Sequence, residues 1–181
     1  VASTVNESLL MDYLLKTVGE RDKQLYLLNY YLEQFRGTVF RQTMFAEFEK
    51  IIHERAEAGE ALTPDSLNEL YYRLNVDYHG PAVVVDQDIA LEWARIPHFY
   101  SAFYVYKYAT GFSAATAITR LILTQGEPAI GNYISFLKKG GSDYPLNLLK
   151  TAGVDLSTPR PVQDALQLFA QLLDRLEGLT D

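Results

Sequence analysis

The 181-residue chain contains no cysteine. That excludes a disulfide framework, a thiolate metal site and a cysteine nucleophile. No apolar run approaches the about 18 residues that a membrane span needs. A basic segment leading into the apolar core of a secretory signal is also lacking. Basic residues are in deficit, 16 Lys and Arg against 23 Asp and Glu, for a net charge of -7. Nucleic-acid affinity draws on clustered Lys and Arg, so neither nucleic acid nor a membrane is an expected partner. Together these absences leave a cytoplasmic protein as the expectation. β-branched runs are scarce too: Ala82 to Val85 stands alone and is too short to build a sheet.

What is present is a globular balance, 48 % hydrophobic and 22 % charged residues. Aromatics reach 13 %, with 13 Tyr, 9 Phe and one Trp. Tyr joins a large apolar body to a hydrogen-bonding tip, so a Tyr cluster beside a His marks a candidate polar site.

Helical periodicity dominates the chain. Val1, Val5 and Leu9 already recur every fourth residue, and no Met precedes them. The expectation is a piece of a longer chain whose upstream part precedes Val1. The first helix is predicted to reach Val18, and a second to run from Arg21 to Phe35 until Gly37 interrupts. Phe40, Met44, Phe45, Phe48, Ile51 and Ile52 predict a third. Thr63-Pro64-Asp65 opens a fourth, with Thr at the cap, Pro in the first turn and an acid behind it. Tyr78-His79-Gly80-Pro81 reads as a turn, and Asp86 as the cap of a short helix to Trp93. Pro97 is predicted to open a helix through His98 and Thr110, continuing to Thr124. Three further helices follow, beginning at Glu127, Tyr144 and the Pro159-Arg160-Pro161 segment. The result is all-α, an irregular multi-helix array of eight or nine helices without a fixed repeat.

Three stretches are candidates for chemistry. His53-Glu54-Arg55-Ala56-Glu57 lacks the second His of H-E-x-x-H, and two imidazoles one turn apart are what zinc requires. It reads as a solvated helix face. The segment from Ile96 to Gly111 is the richest. Tyr100, Tyr104 and Tyr108 share a predicted helical stripe, Tyr106 lies on another face, and His98 stands at the helix start. A helix N-terminus disfavours imidazolium. Neutral imidazole and phenolic hydroxyls are good donors to a developing oxyanion. The competing reading is an aromatic core around one buried His. Gly140-Gly141-Ser142-Asp143 lacks the Lys and the spacing of a phosphate loop and reads as a connection. His79 is a lone loop His.

Val1-Ala2-Ser3-Thr4-Val5-Asn6-Glu7 resembles the segment that follows the third zinc ligand in the oligoendopeptidase F family. These are thimet-oligopeptidase-like zinc metallopeptidases. Arg95-Ile96-Pro97-His98-Phe99-Tyr100 and Phe103-Tyr104-Val105-Tyr106-Lys107-Tyr108-Ala109-Thr110-Gly111 resemble the same family's substrate-site segment. Gly140-Gly141-Ser142-Asp143-Tyr144-Pro145, with Ala152-Gly153-Val154-Asp155, resembles its C-terminal signature. The matches fall in order along nearly the whole chain.

The resemblance implies that residues 1–181 are the C-terminal part of a larger helical peptidase domain, lacking the upstream H-E-x-x-H helix. It implies zinc in the full-length enzyme, held by ligands outside this chain, with no metal ligand within it. A zinc-activated water would attack peptide bonds of short peptides. His98 would stabilise the oxyanion, assisted by Tyr108, which matches best, or by Tyr104 or Tyr106. Tyr106 and His79 would contact substrate. Glu7 and Ser3 lie on the face of the implied upstream ligand, Glu7 as an acceptor for a ligating His N–H. The partners implied are short peptides and the upstream part of the same protein. The alternative from another class is a non-catalytic helical module that binds peptides or proteins through its aromatic groove.

Overall fold

The computed structural model describes residues 1–180, and these are all-helical, with no strand among them. Eight α-helices follow in order: α1 (Ala2–Thr17), α2 (Arg21–Phe35), α3 (Arg41–Glu57), α4 (Pro64–His79), α5 (Tyr106–Gln125), α6 (Glu127–Lys139), α7 (Pro145–Thr151) and α8 (Arg160–Thr180). A π-helical turn occupies Arg36–Phe40, and 3₁₀ helices occupy Gln87–Arg95 and Pro97–Tyr100. The chain divides into two compact units, Val1–Val39 with Thr110 onward, and Phe40–Ala109.

In the first unit α5 supplies the centre. Its residues from Phe112 to Thr119 are all buried, because Ala and Ser side chains leave room for neighbours on every side. Val5, Tyr133, Leu149 and Val154 close over it. Phe35 packs edge-on to Phe112 at 4.7 Å between ring centres. Arg175 of α8 donates to the Leu15 carbonyl at 2.7 Å and to the Gln24 side-chain oxygen at 2.6 Å. The Leu15 carbonyl, near the C-terminus of α1, also accepts from Gln24 Nε2 at 3.0 Å, so side chains satisfy it at the helix end.

In the second unit α3 and α4 face each other through Met44, Phe45, Phe48, Leu70, Tyr71 and Leu74. The predicted start of α4 holds. The Thr63 hydroxyl accepts from the Ser66 N–H, and the Ser66 hydroxyl accepts from the Thr63 N–H, a reciprocal cap. Ile96, Phe99 and Val105 reach into the same core and anchor the segment between them.

Three local expectations are corrected. Gly37 does not interrupt: the backbone stays helical through the π turn, which absorbs the irregularity. His79 is not in a loop. It is the last residue of α4, and Gly80, at φ +70°, ends the helix in a conformation that favours glycine. Pro97 opens only a four-residue 3₁₀ turn, and α5 begins at Tyr106. Tyr100, Tyr104 and Tyr108 therefore do not form one helical stripe.

Candidate active-site cluster

The break between Pro97 and Tyr106 decides where the aromatic side chains point. Phe99 turns inward and packs on Phe45 and Phe48, at 5.6 Å and 5.5 Å. His98, its neighbour, is thereby turned outward and is exposed. The expectation of a buried core histidine is corrected. So is the argument from a helix N-terminus, because a four-residue turn lacks the aligned peptide dipoles of a long helix.

His98, Tyr104 and Tyr108 converge even so. The Tyr104 ring stacks on the imidazole, with centres 5.2 Å apart and planes within 2°. Tyr108 meets both rings edge-on, each at 5.7 Å. The Tyr108 hydroxyl lies 3.3 Å from His98 Nε2. Either the hydroxyl donates to the bare nitrogen, or the nitrogen's own N–H donates to the hydroxyl, according to the tautomer. Hydrogen bonding with Tyr104, aided by partial burial, raises the Tyr108 phenol above its ordinary pKa. A phenol at or above its ordinary value is protonated across the neutral range, so the Tyr108 hydroxyl carries a proton to donate there. The Lys107 ammonium sits 4.4 Å above the centre of the Tyr104 ring, where the π face attracts a cation. Imidazole, phenol and ammonium side chains together favour negative charge developing on a substrate oxygen.

Of the other sequence candidates, Tyr100, Tyr106 and His79 belong to the same unit as this cluster, and Ser3 and Glu7 to the first unit. Tyr106 is 48 % exposed, and Tyr100 is 87 % exposed. His79 Nδ1 lies 2.8 Å from the Asn75 carbonyl oxygen. His79 lines a cleft of about 550 Å³ with Val83, Val84, Val85, Arg41 and Leu91, and His98 is not in its lining. Ser3 and Glu7 are exposed on α1. His53 Nδ1 lies 2.7 Å from the Glu49 carbonyl oxygen, and its ring packs 4.6 Å from that of Phe103.

A buried carboxylate network adjoins the cluster in sequence. Glu92 is 7 % exposed. It accepts from Tyr71 at 2.7 Å, Arg41 at 2.7 Å and Arg95 at 2.5 Å. Burial raises its pKa, but the Arg41 and Tyr71 hydrogen bonds and both guanidinium charges outweigh that and hold it below the usual carboxylate range. The same burial and the Glu92 charge push the Tyr71 phenol far up.

Sequence reasoning missed Glu49, which is 2 % exposed and whose Oε1 accepts from the Phe103 N–H at 2.6 Å. A signal existed: an acid four residues after Phe45 and one after Phe48 falls on the apolar face of α3. Among the described residues no group of three or more His, Asp or Glu could hold a metal ion. The described residues therefore do not fit a zinc site.

The profile of peptidase family M3 matches residues 1–168. Oligopeptidase PepF of Bacillus subtilis is 55 % identical over 179 residues, 99 % of this chain and 27 % of that protein. The chromosomal oligoendopeptidase F of Lactococcus lactis subsp. cremoris is 45 % identical over 181 residues, 100 % of this chain and 30 % of that protein. The crystal structure of oligoendopeptidase-F from Enterococcus faecium superposes with a TM-score of 0.96 at 49 % identity, covering 99 % of this chain and 34 % of that one. The chain thus spans only 27 % and 30 % of the length of these two curated relatives.

Proposed function

This chain belongs to peptidase family M3, and we propose that it forms part of an oligopeptidase, supplying side chains that bind a peptide and stabilise its scissile oxygen. The observation that carries this reading is the meeting of His98, Tyr104 and Tyr108 at one exposed point. We read residues 1–181 as the C-terminal part of the catalytic domain of a cytoplasmic enzyme, with the upstream part of the same protein as its partner. The family implies zinc, whose ligands we assign to residues outside this chain.

Peptide hydrolysis requires charge to build on the carbonyl oxygen as the carbon becomes tetrahedral. The His98–Tyr108 hydrogen bond uses one proton, so whichever of the two is not donating within the pair can donate to that oxygen, and a fixed donor strengthens as the charge grows. Tyr104, stacked flat on His98, limits rotation of the imidazole. Donors held before the reaction need little reorganisation during it. Tyr106 and the cleft at His79 are proposed to contact the flanking peptide. Ser3 and Glu7 are proposed to accept hydrogen bonds from groups beyond the chain, Glu7 from a zinc-ligating imidazole. Zinc retention by a Glu7→Gln protein tests that assignment.

In the full-length peptidase, His98→Ala should lower kcat by about 10²–10³ with a much smaller change in KM, as for one lost oxyanion donor. Steady-state kinetics on a short peptide checks this. An unchanged kcat with a raised KM would favour the alternative, a surface that only binds peptides.

A further inference from the structure

Tyr104 follows a residue of uncommon backbone. Phe103 has φ +55°, the left-handed region, where a side chain with a Cβ is strained. Such a conformation persists only when its surroundings hold it. Two contacts from α3 do so. The Phe103 N–H donates to Glu49 Oε1 at 2.6 Å, and the Phe103 ring packs 4.6 Å from His53, one turn further along the same helix. Glu49 is 2 % exposed, and a buried carboxylate needs hydrogen-bond donors to replace water. Val105, fully buried, fixes the chain on the far side of Tyr104. The backbone on both sides of Tyr104 is thus pinned, at Phe103 by a charge-assisted hydrogen bond and at Val105 by the core.

We propose that Glu49 is a positioning residue for the cluster of His98, Tyr104 and Tyr108. Its carboxylate fixes the Phe103 amide. That amide sets the direction in which the chain enters Tyr104, and the Tyr104 ring holds the imidazole. The inference rests on the proposed role of His98 in peptide hydrolysis, but its geometric part is read separately from catalysis.

The test joins proton NMR of the His98 ring, with histidine selectively labelled, and kcat and KM, all in the full-length peptidase. Stacked on Tyr104, the His98 ring protons carry an aromatic ring-current shift. Glu49→Ala should move them toward their unstacked position. It should also lower kcat by about tenfold to a hundredfold with KM little changed, the expected scale for a small misplacement of a catalytic group. Glu49→Gln, whose amide oxygen still accepts from the Phe103 N–H, should keep both the shift and kcat. If Glu49→Ala does not fold, Glu49→Asp, one methylene short, should move the same protons.

Unmoved His98 protons in Glu49→Ala, or in Glu49→Asp in its place, overturn the proposal. So does a Glu49→Gln protein that behaves like Glu49→Ala. If His98→Ala leaves kcat intact while Glu49→Ala displaces the His98 signals, the catalytic reading fails and the positioning role stands.

Discussion

At the scale of single residues, Tyr104 and Tyr108 divide the work around one imidazole. Tyr104 presents its ring flat against His98, whereas Tyr108 presents its edge to the ring and its hydroxyl to Nε2. Stacking needs the ring and hydrogen bonding needs the oxygen, so the two should respond differently to the same substitution. Tyr108→Phe removes the hydroxyl that meets His98 Nε2. In the full-length peptidase it should lower kcat by about tenfold or more, a modest share of what an oxyanion donor supplies. Tyr104→Phe keeps the stacked ring and should change kcat far less, while Tyr104→Ala should approach the Tyr108→Phe loss. Parallel kcat measurements on the three variants check the division. Equal losses for the two Phe variants would contradict it. That His98 belongs with a Tyr was legible in the sequence from composition and proximity. Which face of each ring it meets was not, because that depends on where the backbone breaks.

At the scale of elements, that break is the lesson. Periodicity ran unbroken from Tyr100 to Tyr108 and predicted one helix, but apolar demand from the core decided otherwise. Ile96, Phe99 and Val105 must all reach the interior of one unit, and no single helix face offers that spacing. The opposite error fell at Gly37, where a helix-weakening residue was absorbed by a π turn. Helix starts with side-chain caps, such as Thr63, were legible because the cap acts locally. The 3₁₀ helix Gln87–Arg95 depends instead on distant partners, through Glu92. Because that carboxyl is held below its ordinary value, the folded state binds its proton less tightly than the unfolded chain. Its stabilising effect is present above the usual carboxylate range, about pH 4.3, and is lost as pH falls through the lower folded value. Glu92→Ala should cost about 3–5 kcal/mol near neutral pH, because Arg41 and the Tyr71 hydroxyl are left without their acceptor. Thermal unfolding of wild type and variant at neutral and acid pH checks the sign. The gap in Tm should narrow as the solution is acidified.

At the scale of the whole molecule, the described residues bring donors and one cation to a single cluster and gather no group of metal ligands. His98 is flanked by two phenols and a nearby ammonium, and the described residues hold no group of His, Asp and Glu fit for a metal. The H-E-R-A-E stretch has its one imidazole turned to a backbone carbonyl and an aromatic ring. Donors of this kind stabilise charge that another group has generated, and they do not themselves make water a strong nucleophile at neutral pH. The expected outcome is that the isolated 181 residues, purified and supplied with zinc, hydrolyse no short peptide. A fluorogenic peptide assay with and without a chelator checks it. Chelator-sensitive cleavage by this chain alone would mean that its own side chains form a metal site on folding. The assignment of zinc ligation to residues outside the chain would then fall, while the His98 cluster would still be tested by its own variants.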